Sequence, residues 1–471
     1  KIAHFNGGLF EAATALPLNA TQIALLLGAA KPDWSDVEPA IFGTLLERAL
    51  NPQDRHKLGA HYTPRSYVER LVKPTVIDPL RSQWDAVKTA AAQFQEQGQE
   101  AKAIAAVKDF HHHLCRVQVL DPACGSGNFL YVTLEHMKRL EGEVLELLEA
   151  LGDNELTFEM EQFKVRPQQF HGLELNERAV AIAQLVLWIG YFQWHKKTTG
   201  NADTEDRPLL PKQQTILRQD AVLAYDAMTP RKDENGQYVC IWDGRTTKPH
   251  PVTGKEVPDE SAIILVYDYT NPRRAKWPTF KKNEPLYIVG NPPFIGASRM
   301  RDALGDGYTE SLRKVWKNDV PESADFVMFW WEQAAELVRA GKAERFGFIT
   351  TNSIHQTFNR RVVEKHLNDL KKPLSLAFAI PDHPWVDAVD CAAVRIAMTV
   401  GTPDKLPGQL NRVIEESDIG DGEHSVDLQT QAGKIAANLK IGADLASAHP
   451  LFANHKISNR GHEIGGAGFI I

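Results

Sequence analysis

The residues with the most specific chemistry lie past the middle of the chain, in Asn291-Pro292-Pro293-Phe294. Two consecutive prolines stiffen a loop and fix where the Asn291 side chain and the Pro292 carbonyl point. Two fixed acceptors aimed at one exocyclic amine hold its hydrogens and leave the nitrogen lone pair facing an electrophile. An amine on an aromatic ring is a weak nucleophile, because its lone pair is delocalised. Positioning and electrostatics are then the expected means of catalysis, rather than a strong base. Phe294 offers a ring face on which a planar base can stack. A rigid turn with a core phenylalanine would use the same four residues, so the surroundings must decide.

A second constellation precedes it: Leu120-Asp121-Pro122-Ala123-Cys124-Gly125-Ser126-Gly127-Asn128-Phe129. A strand ends in an acidic residue, a loop of small residues lets backbone approach a ligand, and a helix follows. The spacing is neither G-x-G-x-x-G nor a P-loop, because no Gly-Lys-Ser/Thr follows. Asp121, Ala123, Gly125, Gly127, Asn128 and Phe129 are candidate cofactor contacts. A tight strand–helix turn without a ligand shares the glycines but does not require the whole string. Glu174, in Gly172-Leu173-Glu174-Leu175-Asn176, ends the next strand, where a carboxylate accepts hydrogen bonds from a ribose diol. Asp220, after the third strand, is placed to accept from the amino group of an adenine.

These residues need elements that end where they sit. Alternating strand and helix patterns begin at Val117. Strands are expected at 117–120, 170–173, 215–217, 286–289, 345–349, 375–380 and 394–400, with helices at 129–151, 177–195, 324–339 and 359–370. This predicts an α/β fold with a doubly wound, mostly parallel, seven-stranded Rossmann-like sheet, whose ligands bind at the carboxyl ends of the strands. Residues 1–115 form an N-terminal helical region, in which 85–107 is expected to be a solvated helix or helical hairpin. Residues 116–400 form the catalytic domain, interrupted by an insertion at about 225–283 with a hairpin or ordered loop at 249–258. Residues 401–471 are expected to be a polar linker.

Composition sets the outer limits. The 471 residues are 43% hydrophobic and 24% charged, as in globular proteins with a sizeable core. No apolar run is long enough to span a membrane, and no secretory leader is visible. Four scattered cysteines form no C-x-x-C pair, which argues against a disulfide framework or zinc ribbon and fits a reducing cytoplasm. Lys1 in place of Met reads as a fragment boundary. The net charge of −7 argues against a grip on nucleic acid by bulk electrostatics.

Taken together, these motifs make the chain resemble the adenine-N6 DNA methyltransferases of class I, and specifically the methylase portion of single-chain type IIG/IIL restriction-modification enzymes. The resemblance covers nearly all of the chain. It rests on Phe5-Asn6-Gly7-Gly8-Leu9-Phe10, Gly59-Ala60-His61-Tyr62-Thr63-Pro64, the Asp121–Phe129 loop, Asn291–Phe294 and the closing Gly-Ala-Gly-Phe. It implies S-adenosylmethionine as methyl donor, a flipped-out adenine in double-stranded DNA as acceptor, and no metal. It also implies that the Tyr-Thr-Pro segment folds back onto the cofactor, making Tyr62 and Thr63 candidate contacts. A target-recognition domain is expected to follow residue 471, which accounts for the acidic charge of this stretch, and some members of the family also carry a nuclease domain ahead of the methylase. Glu100-Ala101-Lys102 is the sole upstream E-x-K and reads as a solvated helix face rather than a nuclease centre. Loops of the N-P-P-F type also serve methylation of protein glutamine, RNA bases and cytosine N4, and a vestigial methylase core in a DNA-binding protein is a further alternative.

Arg299 and Arg301, with Arg313, Lys314 and Lys317, follow the Asn291 loop, while Arg360, Arg361 and Lys365 follow Thr351-Asn352-Ser353. They are candidate phosphate contacts, although an ordinary charged surface would look alike. His111-His112-His113 with Cys115 is set aside as a metal site, since adjacent histidines point different ways. Trp188, Phe192 and Trp194 are expected in the core. His383-Pro384-Trp385 is expected to border the target pocket.

Overall fold

Successive residues on a strand face opposite sides, so a strand buried on both faces must be apolar at every position. The Leu286–Gly290 strand meets that condition at all five, and it lies in the interior of the sheet. A computed structural model of the chain describes residues 17–32, 37–39, 41, 63–153, 162–199, 215–243, 246–251, 253–385, 394–405, 407–420 and 423–442. Among these, the main sheet contains β1 (Gln118–Asp121), β2 (Phe170–Glu174), β3 (Ile216–Arg218), β4 (Leu286–Gly290), β5 (Arg345–Thr351), β6 (Ser375–Pro384), β7 (Arg395–Thr402), β8 (Gly408–Gly420) and β9 (Glu423–Gly433). Their spatial order is β3-β2-β1-β4-β5-β7-β6-β8-β9. Strands β3, β2, β1, β4 and β5 are parallel neighbours, and β7 runs antiparallel between β5 and β6.

The expected doubly wound, mostly parallel α/β sheet is present, but it has nine strands rather than seven. The two additional strands, β8 and β9, form an antiparallel hairpin within the stretch expected to be linker, and β8 pairs parallel with β6. Leu410 is buried in β8 while much of the hairpin is exposed. Its polar composition therefore resembles a loop.

Helices cover both faces. On one lie α1 (Arg65–Val72), α2 (Asp78–Glu96), α3 (Glu100–Leu114), α4 (Asn128–Ala150) and α5 (Glu177–Thr199), packed with Val119, Tyr287 and Val289 of the sheet. On the other lie α6 (Asp306–Trp316), α7 (Val327–Arg339) and α8 (Thr357–Leu367), packed with Leu120, Leu286 and Ile288. The region read as a solvated hairpin is a hairpin, α2 with α3, but it is not merely solvated. Ala103, Val107, Phe110 and Leu114 form a buried stripe at helical spacing. Trp188 is buried in the same core and Phe192 packs against it. The insertion forms a long interrupted ribbon, with Ala227–Pro230 paired to Tyr267–Thr270, Cys240–Trp242 to Ile263–Leu265 and Thr247–Pro249 to Glu256–Pro258.

The chain runs outward from β1 to β3 and then returns to place β4 on the other side of β1. This reversal opens a crevice at the carboxyl ends of β1 and β4. Asp121 ends the first of these strands and Asn291 follows the second.

Candidate active site

The Asp121 carboxylate is fully buried between the two strand ends. Its Oδ1 accepts the Ala123 N–H at 3.0 Å, while its Oδ2 has no hydrogen-bond partner among the described residues. Burial pushes this carboxyl up to about 8, the Ala123 N–H opposing and the Glu174 charge adding to the rise. Residue 290 must be glycine for this arrangement, because a Cβ there would stand 2.5 Å from Asp121 Oδ1. Beyond Asp121, the Trp330 indole on α7 donates to the Pro122 carbonyl at 2.9 Å and pins the loop from the opposite face.

Gly127, with φ of 85°, is the N-cap of α4, a conformation that glycine adopts without strain. A Cβ on it would stand 3.1 Å from Ala183 of α5. Asn128, the first residue of α4, donates through Nδ2 to the Thr63 carbonyl at 2.6 Å, and its own Oδ1 is buried without a donor. The N–H groups at the start of α4 leave a positive helix end beside the loop. Ala123 is half-buried and Phe129 is buried in the core.

Glu174 sits at the end of β2 as expected, with both oxygens engaged. Oε2 accepts the Gly125 N–H at 3.0 Å and Oε1 the Asn176 N–H at 2.8 Å, so Glu174 ties the glycine loop to the second strand end. Asp220 is engaged likewise. Its Oδ1 accepts from the Val222 and Leu223 N–H groups, and its Oδ2 accepts the Tyr308 hydroxyl at 2.7 Å. Burial raises both carboxyls above their ordinary range.

On the β4 side, Asn291 donates through Nδ2 to Thr63 Oγ1 at 3.0 Å, and its Oδ1 is buried without a donor among the described residues. Pro292 is buried and Pro293 half-buried. Phe294 meets the edge of Trp385 at a centroid distance of 5.8 Å, so the His383-Pro384-Trp385 segment lies against the Asn291–Phe294 loop. Tyr67 of α1 holds that segment by donating to the Pro384 carbonyl at 3.2 Å. Thr63 thus touches both halves of the crevice. Tyr62 lies outside the described residues.

A cleft of about 1020 Å³ opens beside Phe294, lined by Trp242 and Tyr269 from the insertion and by Arg299, Arg301 and Tyr308. Of the candidate phosphate contacts, Arg299 is exposed, whereas Arg301 is paired with Asp306 and Glu310. Arg360 is paired with Glu364 and Arg361 lies over the Phe358 ring. Lys365 is drawn inward to Asp319 and Glu332.

Sequence reasoning missed Asp325. It accepts from the Ala297 N–H at 3.2 Å and from Ser353 and Asn359, fastening the segment after Phe294 to the end of β5 and to α8. No local motif marks it, since its partners are 28 and 34 residues away. Folding also brings Glu141 to His111 and Cys115, with ligand atoms within 4.8 Å of one another. Glu141 is already paired with Lys138 and accepts the Val165 N–H at 2.6 Å.

Residues 94–411 match the family described as the MmeI DNA-methyltransferase domain. The chain belongs to this family. It is 23% identical over 404 residues to DNA methyltransferase A of Bacillus subtilis strain 168, covering 85% of this chain and 38% of that protein. Among solved structures it is similar to the type IIL restriction-modification enzyme MmeI in complex with DNA. The TM-score is 0.66 with 25% identity, over 94% of this chain and 49% of that one. The chain therefore spans less than half the length of each of these relatives. Family and architecture together are those of a DNA-methyltransferase domain. No helix among the described residues is long and apolar enough to cross a membrane.

Proposed function

We propose that this domain transfers a methyl group from S-adenosylmethionine to N6 of an adenine turned out of double-stranded DNA. The observation that carries the reading is Asn291 Oδ1, a buried acceptor with no donor beside the crevice between β1 and β4. Leaving such a group unpaired costs free energy that an incoming amine N–H recovers. The stiff Pro292-Pro293 backbone holds the second acceptor, the Pro292 carbonyl, in a fixed direction, and Phe294 supports the base by stacking.

The residues present fit the cofactor. The orphaned Asp121 Oδ2 suits its ammonium group, the N-terminus of α4 suits its carboxylate, and the remaining lone pairs of Glu174 suit its ribose hydroxyls. Ala123, Gly125, Gly127 and Phe129 shape the cradle, Asp220 borders the adenine end, and Tyr62 is a further proposed contact. The cofactor supplies an electrophilic methyl group. The protein holds the acceptor amine, keeps water away from it and aligns its lone pair.

The decisive test is to incubate the protein with labelled S-adenosylmethionine and DNA, digest the DNA and identify the modified nucleoside. N6-methyladenine is expected, with Asn291→Ala reducing transfer about a thousandfold or more. Label in cytosine N4, in RNA or in protein glutamine would replace adenine as the substrate. Full activity of Asn291→Ala would sink the site assignment.

A further inference from the structure

We infer that Thr63 is a positioning residue that anchors the Asn291 amide beside the reacting amine. The inference rests on the reading of Asn291 given above. A carboxamide on a flexible stem is held in one position only if a hydrogen bond anchors it, and a threonine hydroxyl can serve as that anchor. An amine donor requires Oδ1 to face it, because the opposite orientation would set N–H against N–H. With Oδ1 turned toward the amine, Nδ2 needs an acceptor of its own, and Thr63 Oγ1 stands 3.0 Å from it. Thr63 is only 6% exposed, so water is a poor substitute there.

The position of Thr63 is itself controlled from the cofactor side of the crevice. Its carbonyl accepts from Asn128 Nδ2 at 2.6 Å, and Asn128 opens α4 immediately after the glycine loop. One residue therefore spans from the first turn of α4 to the catalytic loop, across 65 residues of sequence on one side and 228 on the other. Both Asn128 Oδ1 and Asn291 Oδ1 are buried without donors. The two amides that Thr63 touches each spend their N–H on it and keep their oxygens available. Thr63 therefore has a role distinct from direct contact with the cofactor, since its hydroxyl serves Asn291 and its carbonyl serves Asn128.

The test compares Thr63→Ser with Thr63→Ala. Both lose the methyl group, and only Ser keeps the hydroxyl. Single-turnover methylation rates, melting temperature and calorimetric affinity for S-adenosylhomocysteine are measured for each, with Asn291→Ala as reference. The expected result is a Ser variant within a few-fold of the parent rate and an Ala variant slower by about ten- to a hundredfold. In Ala, the rate should fall by a larger factor than the affinity. Thr63→Val, which keeps the shape and removes the acceptor, should behave like Ala. Equal rates for Ser and Ala would overturn the inference, as would a loss of affinity in Ala as large as its loss of rate. If Asn291→Ala is itself fully active, the functional assignment fails instead, whatever Thr63 does.

Discussion

Glu174 with Asp220, and Asp121 with Asn291, are two pairs of side chains at the same end of one sheet. They differ in how complete they are. In the first pair every oxygen already has a donor from within the protein: Glu174 accepts two backbone N–H groups, and Asp220 accepts two more and a tyrosine hydroxyl. The second pair keeps one buried acceptor each, Asp121 Oδ2 and Asn291 Oδ1, with no donor. A fold that satisfies most of its buried polar atoms leaves these open at a cost, and the cost is recoverable when a ligand brings N–H groups. The first pair fixes the loops at the strand ends, and Glu174 is expected to share its remaining lone pairs with a ribose. The second pair is where the largest effects on binding and chemistry are expected.

Substitutions can break this contrast. The largest effect is expected from Gly290→Ala, whose Cβ would drive into Asp121 Oδ1. Overpacking at a buried strand end should cost about 1–3 kcal/mol of stability in denaturant titrations and abolish cofactor binding. Next comes the titration of Asp121. Its carboxyl lies near 8 in the fold against about 4 in an unfolded chain, so the folded state binds the proton more tightly. Stability from this group is therefore present at low pH and falls as pH rises from about 4 to about 8. Asp121→Asn cannot titrate and should remove that decline, and a decline unchanged in the variant would refute the assignment. At pH 7, an ammonium group meeting Asp121 should ionise it. Calorimetric binding in buffers of different ionisation enthalpy should then show proton release, which Asp121→Asn should lose.

The Glu174–Asp220 pair predicts smaller changes. Tyr308→Phe removes one donor from the buried Asp220 and should cost about 1–2 kcal/mol of stability. Unlike Asn291→Ala, it should leave methyl transfer measurable, and an effect on rate as large would erase the distinction between the pairs. The smallest change is expected from Arg299→Glu, tested by DNA binding across salt concentrations. If this exposed side chain meets a phosphate, affinity should weaken alike for all sequences, with the salt slope reduced by about one.

Much of this contrast's framework is legible in the sequence. Alternation of apolar strands and amphipathic helices locates the sheet, and Asp121 and Asn291 announce themselves because each ends a strand with a distinctive loop. What stays hidden is how the polar atoms are shared. Thr63 meets Asn291 across 228 residues and Tyr308 meets Asp220 across 88, and neither contact leaves a local pattern. The β8–β9 hairpin is hidden for a different reason. A strand such as Gly408–Gly420, apolar at few positions and rich in Glu, Asp and Asn, lacks the period of a half-buried strand. Its pairing with β6 is what makes it sheet.

The approach of Gly127 to Ala183 restricts the ways in which this family can drift. Residue 127 has the smallest side chain available, and its partner on α5 has the next smallest. Neither can grow without displacing the glycine loop, and shrinking one does not make room for a larger other, because only Gly suits the left-handed backbone at 127. Compensating exchange is closed off in one direction. Homologues that keep this loop should therefore vary at 183 only between alanine and glycine, whereas a bulkier residue at either position would mark a copy in which the glycine loop has moved.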